Sequence, residues 1–317
     1  MTIWENVNPE APVLVLGSAA VDTIAYPEGA LAEGVAVPAQ MRTAFGGVAR
    51  NVAENLARLG QPVIFISAVG RDSPGEQLLA ALQQLGVDTQ AVIRTEAYPT
   101  GRYVGVLRAE GGLHYGLHDM RISQSITPEY LRSHAHLFEQ ASALVMDANL
   151  PKATLRTAFS LARKAGIPVA ADPTSPQLAV RLKRHLPRLA LITPDHQEAA
   201  ALLGRPLEPT RFEEVIRAAR DLVAQGVGLA VITLAEFGLC YATPETSGHL
   251  SALRTEIIDP TGAGDALLAA LLFGLLNGFP VDDAIRLGIS AASLALHAEG
   301  NVPADLSLER LYDQLVL

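Results

Sequence analysis

Short aliphatic runs, each followed by a segment with helical periodicity, recur along most of this 317-residue chain. The runs that we interpret as strands are 13–16, 63–66, 143–146, 169–171, 190–192 and 229–232. The segments between them that we interpret as helices are 48–59, 154–164, 198–203 and 212–224. Strands that alternate with helices form a parallel sheet with helical crossovers, and strands buried on both faces are aliphatic throughout. The sequence therefore predicts an α/β fold with a mostly parallel central sheet.

Two segments interrupt this alternation. Residues 35–45 are predicted to be extended, and residues 101–116 are predicted to form a hairpin with its turn at 109–112. The adjacent Gly111 and Gly112 supply the positive φ angles that a tight turn requires. Such a hairpin either adds to the edge of the main sheet or belongs to a separate small sheet. We favour the second arrangement, in which the small sheet closes as a lid over an active site and excludes water.

Charge and cysteine content limit the classes of partner. The net charge is −9 and no long run of Lys or Arg is present, whereas proteins that bind nucleic acid display a basic face. The single cysteine, Cys240, excludes an internal disulfide and fits a reducing compartment. Residues 1–12 lack the features of a signal peptide, and the apolar run 266–276 is shorter than the roughly 20 residues of a membrane-spanning helix. We expect a cytoplasmic protein that binds neither nucleic acid nor membrane.

The strongest chemical signal is the motif Asp259-Pro-Thr-Gly-Ala-Gly-Asp265, which is followed directly by an apolar run of helical length. The small residues Gly262, Ala263 and Gly264 allow a close approach of the backbone to a ligand. The free amides and the dipole of the following helix favour an anion there. A carboxylate at Asp265 would repel phosphate, so we interpret it as the acceptor of a hydroxyl proton beside a bound phosphate. The alternative is an aspartate that only caps the helix.

Two motifs resemble the signatures of the PfkB/ribokinase family of carbohydrate kinases. The first is Gly46-Gly-Val-Ala-Arg-Asn51, and the second, at 259–265, is similar to the family pattern DTxGAGD. The similarity extends through Gly17, Ser18 and Asp22, and through the stretches 67–72 and 193–198. The lysine-containing phosphate loop of other nucleotide-binding proteins is missing, and the stretch after Gly17 is a poor dinucleotide fingerprint.

This resemblance implies a ribokinase-like three-layer α/β/α architecture with a small β-sheet lid. It implies one domain over residues 1–317, with lid segments at about 18–45 and 98–120 inserted in the core. It also implies ATP as the phosphate donor and Mg²⁺ as the accompanying metal.

The resemblance assigns the acceptor site to five residues. Asp22 and Asn51 would hydrogen-bond ribose hydroxyls, and Gly46 and Gly47 would let the backbone lie against the sugar. Asp265 would take the proton of the hydroxyl that is phosphorylated. An ordinary turn is the alternative for the two glycines, and an exposed helix position is the alternative for Asn51.

The nucleotide side of the site is implied by a second set of residues. They are Asp195, Glu198, Thr233 and Gly238, and Glu198 would also order water around Mg²⁺. An exposed glutamate at the start of a helix is the alternative for Glu198.

A monovalent-cation site is implied next to the anion-binding loop. The residues concerned are Asp259, Thr261, Ala295, Ala298 and Gly300, the last three through their backbone. A hard cation prefers such oxygen ligands, and we expect K⁺ to act electrostatically on the loop. A plain turn is the alternative.

Three residues depart from the family pattern. Ala20 stands where ribokinases have an asparagine that contacts the sugar, which argues against free ribose as the substrate. Asp195 replaces the Asn of an Asn-x-x-Glu element and adds a negative charge near the metal. Ala235 replaces a glycine in the nucleotide-binding turn. The last two changes bear on the affinities for ATP and Mg²⁺.

Within the family, three stretches are most similar to pseudouridine kinases: 46–51, 119–131 and 147–149. Asp119 and Asn149 are therefore implied to bind the substrate, with a surface charge at the lid edge as the alternative for Asp119. The resemblance predicts transfer of phosphate from ATP to the 5′-hydroxyl of a nucleoside, foremost pseudouridine, and lids that pair in a homodimer. The alternatives are a kinase of ribose or of another nucleoside, a sensor of nucleotides or sugars without catalysis, and, more distantly, a nicotinamide dehydrogenase.

Overall fold

The computed structural model describes Trp4 and residues 7–108, 112–255, 259, 261–298 and 300–316. The strands are β1 (Val13–Leu16), β2 (Ala20–Pro27), β3 (Ala39–Gly46), β4 (Val63–Ile66), β5 (Ala68–Gly70), β6 (Ile93–Thr95), β7 (Gly101–Leu107), β8 (Leu113–Asp119), β9 (Ala143–Asp147), β10 (Val169–Asp172), β11 (Leu191–Ile192), β12 (Leu229–Thr233), β13 (Leu239–Ala242) and β14 (Ser247–Leu250). The helices are α1 (Val48–Arg58), α2 (Ser73–Gln84), α3 (Pro128–Ser133), α4 (Ala135–Gln140), α5 (Lys152–Ala165), α6 (Pro176–Ala179), α7 (His196–Leu203), α8 (Phe212–Ala224), α9 (Ala263–Leu276), α10 (Val281–Leu296) and α11 (Leu308–Val316).

The central sheet has the strand order β14-β13-β12-β11-β10-β9-β1-β4. The six strands from β12 to β4 are parallel, and β13 and β14 add two antiparallel strands at one edge. This arrangement confirms the mostly parallel sheet expected from the sequence. Three strands extend one residue beyond their predicted ends, β9 to Asp147, β10 to Asp172 and β12 to Thr233. Because neighbouring parallel strands end at the same edge, these two carboxylates lie side by side at the carboxyl edge of the sheet, where they are paired in register.

Helices pack on both faces of this sheet. Val13 and Val15 of β1 belong to one apolar cluster, and Leu14 and Leu16 belong to the other. Burial on both faces explains why this strand is aliphatic throughout instead of alternating. Helix α9 is buried from Asp265 to the end and packs between α1 and α10. No helix in the described part of the chain is long and apolar enough to cross a membrane.

A separate four-stranded sheet has the order β3-β2-β7-β8. Strands β7 and β8 form the expected hairpin, and β2 joins them in parallel. The hairpin therefore belongs to a small second sheet, and not to the edge of the central one. The predicted extended segment 35–45 forms a strand only from Ala39 onward. Of the predicted turn 109–112, residues 109–111 lie outside the described residues, and Gly112 has a φ of 79°.

The two faces of this small sheet differ in chemistry. Asp22, Tyr103 and His118 are cross-strand partners and point to one face. Their neighbours along the strands point to the other face, which exposes the large apolar side chains of Met41, Val104, Tyr115 and Leu117. The face with Asp22 is the inner face, because this carboxylate is buried against the core of the protein.

Candidate active site

The loop after β1 is fixed by the carboxylate at the end of β9. One oxygen of Asp147 accepts hydrogen bonds from Ser18 N at 2.7 Å, Ser18 Oγ at 2.6 Å and Ala49 N at 3.2 Å. A Cβ atom at Gly17 would lie 2.5 Å from the same oxygen, so no side chain fits at this position. Asp147 therefore joins the end of β1 to the start of α1, which carries the first sequence motif.

Asp22, on the inner face of the lid sheet, is held by a residue from the far end of the chain. Asn301 Nδ2 donates to Asp22 Oδ2 at 2.7 Å and to the Phe45 carbonyl at 3.0 Å. Burial raises the pKa of Asp22 to about 6, although the hydrogen bond from Asn301 and the charge of Arg50 oppose the shift. A Cβ atom at Gly46 would lie 1.9 Å from Asp22 Oδ2. Gly46 is thus required to accommodate this carboxylate.

Gly47 meets protein and not open space. Its φ is 93°, and a Cβ atom there would lie 2.8 Å from both Ala19 Cα and Ser18 O. The close approach that the sequence led us to expect at Gly46 and Gly47 is therefore made first of all to Asp22 and to the backbone after β1.

The structure brings together two of the three residues expected to contact the acceptor hydroxyls, Asn51 and Asp265. Asn51 lies in the first turn of α1, and its Nδ2 donates to Asp265 Oδ2 at 2.8 Å. Asp265 lies in the first turn of α9 and is only 8% exposed. The two motifs, far apart in sequence, thus meet through a direct hydrogen bond between the side chains of Asn51 and Asp265.

The loop before α9 has a glycine in a left-handed conformation at the N-terminus of the helix. Gly262 has a φ of 82°, and a Cβ atom there would lie 2.0 Å from the carbonyl of Asn301, so this position requires glycine. The first amides of a helix have no partner within the helix, and here they belong to Ala263, Gly264 and Asp265. Gly264 is exposed, and a Cβ atom there would contact nothing within 4 Å. The helix N-terminus therefore faces open space beside Asp265.

Carboxylates crowd this end of the sheet and perturb one another. Burial, followed by the charge of Asp172, raises the pKa of Asp265 well above its usual range, although the Asn51 hydrogen bond opposes the shift. Burial raises the pKa of Asp172 to about 7. Burial and then the charges of Asp172 and Asp195 raise the pKa of Glu198 to about 9. This concentration of negative charge favours a positively charged ligand.

The expected nucleotide residues are clustered at the start of α7 and the end of β12. Asp195 and Glu198 form a capping box: Asp195 Oδ1 accepts from Glu198 N at 2.7 Å, and Glu198 Oε2 accepts from Asp195 N at 2.9 Å. The backbone of Thr233 forms an isolated parallel β-bridge with that of Asp195. Gly238 has a φ of 90°, and a Cβ atom there would lie 2.1 Å from the Leu250 carbonyl. Ala235 has a φ of 51°, a left-handed conformation that glycine adopts more readily than alanine.

Of the residues expected at a cation site, Asp259 lies beside Thr261 and the end of α10. Asp259 is 1% exposed; its amide donates to the Leu296 carbonyl, and one carboxylate oxygen accepts from Thr261 N at 2.8 Å. This places Asp259 at the end of α10, next to Ala295. No sequence pattern indicated the other partner of this carboxylate: Arg42, on strand β3 of the lid, forms an ion pair with it.

Asp119 and Asn149 together line one cleft, which has a volume of about 890 Å³. The other lining residues are His118, Met120, Arg121, Ser123, Gln124, Pro151, Leu178 and Arg181. The carboxylate of Asp119 is paired with Arg121 at 2.6 Å and is partly exposed. Arg181 donates to the carbonyls of Ala148 and Leu150, both at 3.1 Å, and so holds the loop that carries Asn149.

Sequence reasoning missed several residues that the structure places in this site. They are Arg42, Arg50, Asp172, Arg181 and Asn301. Arg50 lies inside the first motif, so its position was a usable signal. Asp172 follows a buried aliphatic run, which is where the ligands of α/β sheets bind. Asn301 and Arg42 act over long separations that no local pattern reveals.

Comparison with known proteins agrees with this arrangement. Residues 11–305 match the family described as pfkB family carbohydrate kinase. The chain is 32% identical over 297 residues to the pseudouridine kinase of Escherichia coli (strain K12), an alignment that covers 93% of this chain and 94% of that protein. It is 29% identical over 262 residues to the guanosine-inosine kinase of Exiguobacterium acetylicum, with coverages of 81% and 86%.

Two solved structures illustrate the similarity in three dimensions. A carbohydrate kinase from Agrobacterium tumefaciens, 30% identical, has a TM-score of 0.81, and 97% of each chain is covered. The ribokinase of Arabidopsis thaliana complexed with ribose and ATP, 24% identical, has a TM-score of 0.83, with 97% of this chain and 99% of that chain covered, and it shows the same fold.

The family match spans both motifs and every residue described above from Ser18 to Asn301. Within that span lie the buried Asp265, the helix N-terminus beside it and the lid carboxylate Asp22. The chain belongs to the PfkB family of carbohydrate kinases, and it is an ATP-dependent kinase with a hydroxyl group as acceptor.

Proposed function

We propose that this kinase phosphorylates the 5′-hydroxyl of a nucleoside, and that pseudouridine is the preferred acceptor. The observation that carries the catalytic part is the hydrogen bond between Asn51 and Asp265 at the N-terminus of α9. The choice of acceptor is supported by the similarity to a pseudouridine kinase over 93% of this chain. It is also supported by a polar cleft, lined by Asp119 and Asn149, that is large enough for a nucleobase.

The proposed reaction is a direct transfer between two oxygens. Asp265 accepts the proton of the 5′-hydroxyl, whose oxygen forms a bond to the γ-phosphorus of ATP while the bond to the ADP oxygen breaks. The free amides of Ala263 and Gly264 and the dipole of α9 stabilise the charge on the transferred group. Asp22 and Asn51 would orient the sugar through hydrogen bonds to its hydroxyls. Because the pKa of Asp265 is raised, it is a stronger base than an ordinary carboxylate.

The residues present fit Mg²⁺ bound through water. In the described part of the chain, no group of three or more acidic, His or Cys side chains is arranged to hold a metal ion directly. Mg²⁺ commonly keeps several waters and is held by few carboxylates together with phosphates. Glu198 and Asp195, at the start of α7, would order those waters, and Thr233 and Gly238 would contact the nucleotide. When bound, Mg²⁺ neutralises phosphate charge, and it would lower the raised pKa values of Asp172 and Glu198.

A monovalent cation site around Asp259 also remains part of the proposal. The buried carboxylate and the nearby backbone of Thr261, Ala295, Ala298 and Gly300 supply the oxygen ligands that K⁺ prefers. One oxygen of Asp259 is already paired with the Arg42 guanidinium, so K⁺ would share this carboxylate with a fixed positive charge. We therefore expect K⁺ to raise the rate of phosphate transfer only modestly, because Arg42 already neutralises part of the charge of Asp259.

Base recognition would come from the lid and the adjoining cleft. Tyr103 and His118 point to the same face as Asp22, and both the burial of Tyr103 and the charge of Asp22 raise the pKa of the Tyr103 hydroxyl. Pseudouridine differs from uridine in a carbon glycosidic link and in one additional ring N–H. Asp119 would accept a hydrogen bond from that N–H. Its exposed pair with Arg121 contributes little stability, so the carboxylate can rearrange toward the base.

The partners and location are proposed on separate grounds. The exposed apolar outer face of the lid (Met41, Val104, Tyr115 and Leu117) fits a homodimer in which two lids pack together. The single cysteine, Cys240, is buried and fits a reducing cytoplasm.

A panel assay of ADP release tests this proposal. Pseudouridine, uridine, inosine, guanosine and ribose are compared by kcat/KM at equal ATP and Mg²⁺. We expect pseudouridine to be the best acceptor. Inosine or guanosine in first place would favour the second candidate, a purine nucleoside kinase, which the similarity to a guanosine-inosine kinase supports. Ribose in first place would identify a ribokinase, and no turnover with any acceptor would favour a sensor without catalysis.

A further inference from the structure

Arg50 is a buried cation in the first turn of α1, directly before Asn51. Its side chain is 5% exposed, yet it lies between the lid sheet and the core. A buried charge requires partners, because they offset the loss of its hydration. The partners of Arg50 therefore indicate what this charge is used for.

The guanidinium has three partners, which lie on strand β3 and helix α1. Arg50 Nη2 forms an ion pair with Glu54, one turn later on α1. Arg50 Nη1 donates to the Phe45 carbonyl at 3.0 Å, near the end of β3, and to Asn51 Oδ1 at 3.0 Å. Glu54 is held from its other side by Arg58 Nε at 2.9 Å and Nη2 at 2.7 Å. The guanidinium is thus fixed in place by a carboxylate that is itself fixed.

The contact to Asn51 determines which way its carboxamide faces. A carboxamide has one acceptor oxygen and one donor nitrogen. Because Arg50 binds the oxygen, the nitrogen is directed to the other side, where it donates to Asp265 at 2.8 Å. If the carboxamide turned over, its nitrogen would meet the guanidinium and its oxygen would meet a carboxylate, and both contacts would be repulsive.

The contact to Phe45 connects Arg50 to the sugar side of the site. The same carbonyl accepts from Asn301 Nδ2, and this nitrogen also holds Asp22. Phe45 lies at the end of β3, where the lid strand leads into α1. Arg50 is therefore connected by hydrogen bonds to the base on one side and to the lid carboxylate on the other.

We infer that Arg50 is a positioning residue for phosphoryl transfer: it orients the Asn51 carboxamide toward Asp265 and ties that pair to the end of lid strand β3. This inference rests on the proposed roles of Asp265 and Asn51 as groups that act on the acceptor hydroxyls. It does not depend on which nucleoside or sugar is the acceptor.

The charge of Arg50 also affects the pKa of Asp265. The charged groups that face Asp265 are Asp22 on β2, Arg50 on α1, Asp147 on β9, Asp172 on β10 and Glu198 on α7. Arg50 is the cation in this group of described residues. Loss of Arg50, and with it of a fixed Asn51 donor, raises the pKa of Asp265 further. Since the base must be ionised, the acid limb of the pH–rate profile then moves to higher pH.

The test compares Arg50 with a matched neighbour. Removal of Arg50 alone would leave Glu54 with only one partner, so the variant is the pair Arg50→Met and Glu54→Met, with Arg50→Lys as a second variant that retains the charge. Arg58→Met is the control, because it removes the other partner of Glu54 and leaves the Arg50–Asn51 contact intact. Circular dichroism and the Kd for ATP confirm that each variant is folded.

We expect the double variant to lose about 10²-fold in kcat, since a small misplacement of catalytic groups has effects of this size. Its acid limb should move to higher pH, while the Kd for ATP changes less than threefold. In the Arg50→Lys variant the acid limb of the pH–rate profile should stay at the wild-type pH, because the positive charge is retained. Its kcat should fall in part, because an ammonium group lacks the planar set of donors with which the guanidinium binds Asn51 and Phe45. Arg58→Met should remain within about threefold of wild type in kcat.

A double-mutant cycle with Asn51→Ala tests whether Arg50 acts through Asn51. In the Asn51→Ala background the effect of the Arg50 variants on kcat should largely disappear. Equal effects in both backgrounds, or a double variant that matches Arg58→Met in kcat and in pH profile, would overturn the inference. If instead Asp265→Asn retains activity, the proposed function fails, and that result is distinct from either of these.

Discussion

Replacement of Asp22 by Asn should stabilise the ligand-free protein at neutral pH while it weakens binding of the acceptor. Burial raises the pKa of Asp22 from 3.8 to about 6. Because the pKa is higher in the folded state than in the unfolded state, ionisation costs the folded state free energy. A difference of about two pKa units corresponds to about 3 kcal/mol. This cost is fully present above pH 6, falls between pH 6 and 3.8, and is absent below that range.

The uncharged amide in the Asp22→Asn variant avoids this cost but introduces another. Its oxygen can still accept from Asn301, whereas its nitrogen is a new buried donor, and an unpaired donor costs about 1–3 kcal/mol. The net effect at pH 8 is therefore a gain of about 1 kcal/mol in the free energy of unfolding. At pH 4 the gain is lost and the variant is less stable than wild type. Urea unfolding of both proteins at the two pH values measures the difference.

Asp72→Asn provides a control, because its effect on the free energy of unfolding should have the opposite sign to that of Asp22→Asn at pH 8. Burial alone would raise the pKa of Asp72, but hydrogen bonds from Thr100 and Gly75 together lower it. Its ionised form therefore stabilises the fold, and this contribution is present at both pH 8 and pH 4, because it is lost only as the pH falls below 3.8. Asp72→Asn should therefore destabilise the protein at both pH values. For Asp22→Asn we also expect the KM for the acceptor to rise at least tenfold, since charge-assisted hydrogen bonds contribute about 1.5–3 kcal/mol each. An unfolding difference between Asp22→Asn and wild type that is the same at pH 4 and pH 8 would refute the reasoning.

Three further predictions concern the nucleotide turn, the cation loop and the cleft. Ala235→Gly should raise the free energy of unfolding by up to about 1 kcal/mol in thermal melts, because the φ of 51° costs an alanine about this much; a loss of stability would contradict the strain at this turn. Arg42→Ala should make the rate more dependent on K⁺ over Na⁺ at equal ionic strength, and it should increase the thermal stabilisation by K⁺, because Asp259 loses its fixed counter-charge; an unchanged ratio would separate Arg42 from the cation site. Asp119→Ala should narrow the preference for pseudouridine over uridine, by up to tenfold in kcat/KM, and leave turnover of both measurable. An unchanged preference would leave Asp119 as a surface charge.

The sequence predicted the parts of the fold that local patterns encode. Strand β1, and helix α9 from Ala266 onward, are apolar because they are buried on all sides, and burial of this kind is visible in composition alone. The hairpin of β7 and β8 was visible through its turn residues, but its partner strand β2 was not, because nothing in the sequence specifies pairing between distant strands. The ends of β9 and β10 were placed too early, because Asp147 and Asp172 do not continue the aliphatic runs.

The functional site shows the same limit in sharper form. Asp265 and Asn51 were identified because each lies in a compact motif, yet their hydrogen bond spans 214 positions in the chain. The contact between Asn301 and Asp22 spans 279 positions and has no motif at its later end. Arg42 lies on a lid strand, where an arginine gives no functional signal in the sequence. Its ion pair with Asp259 forms only in the folded protein. Side chains that act across elements in this way are recognised only when the elements are assembled.

The central claim is that Asp265 is the base that activates the acceptor hydroxyl, and Asp265→Asn tests it most directly. The amide has nearly the same shape, and its oxygen can still accept the hydrogen bond from Asn51 Nδ2, so the fold and ATP binding should be retained. Turnover of the best acceptor from the panel should fall by about 10²–10⁴-fold, the usual contribution of a general base. The loss should appear in kcat, with the Kd for ATP within about threefold of wild type and the melting temperature not lowered. A variant that turns over within fivefold of wild type would contradict the account.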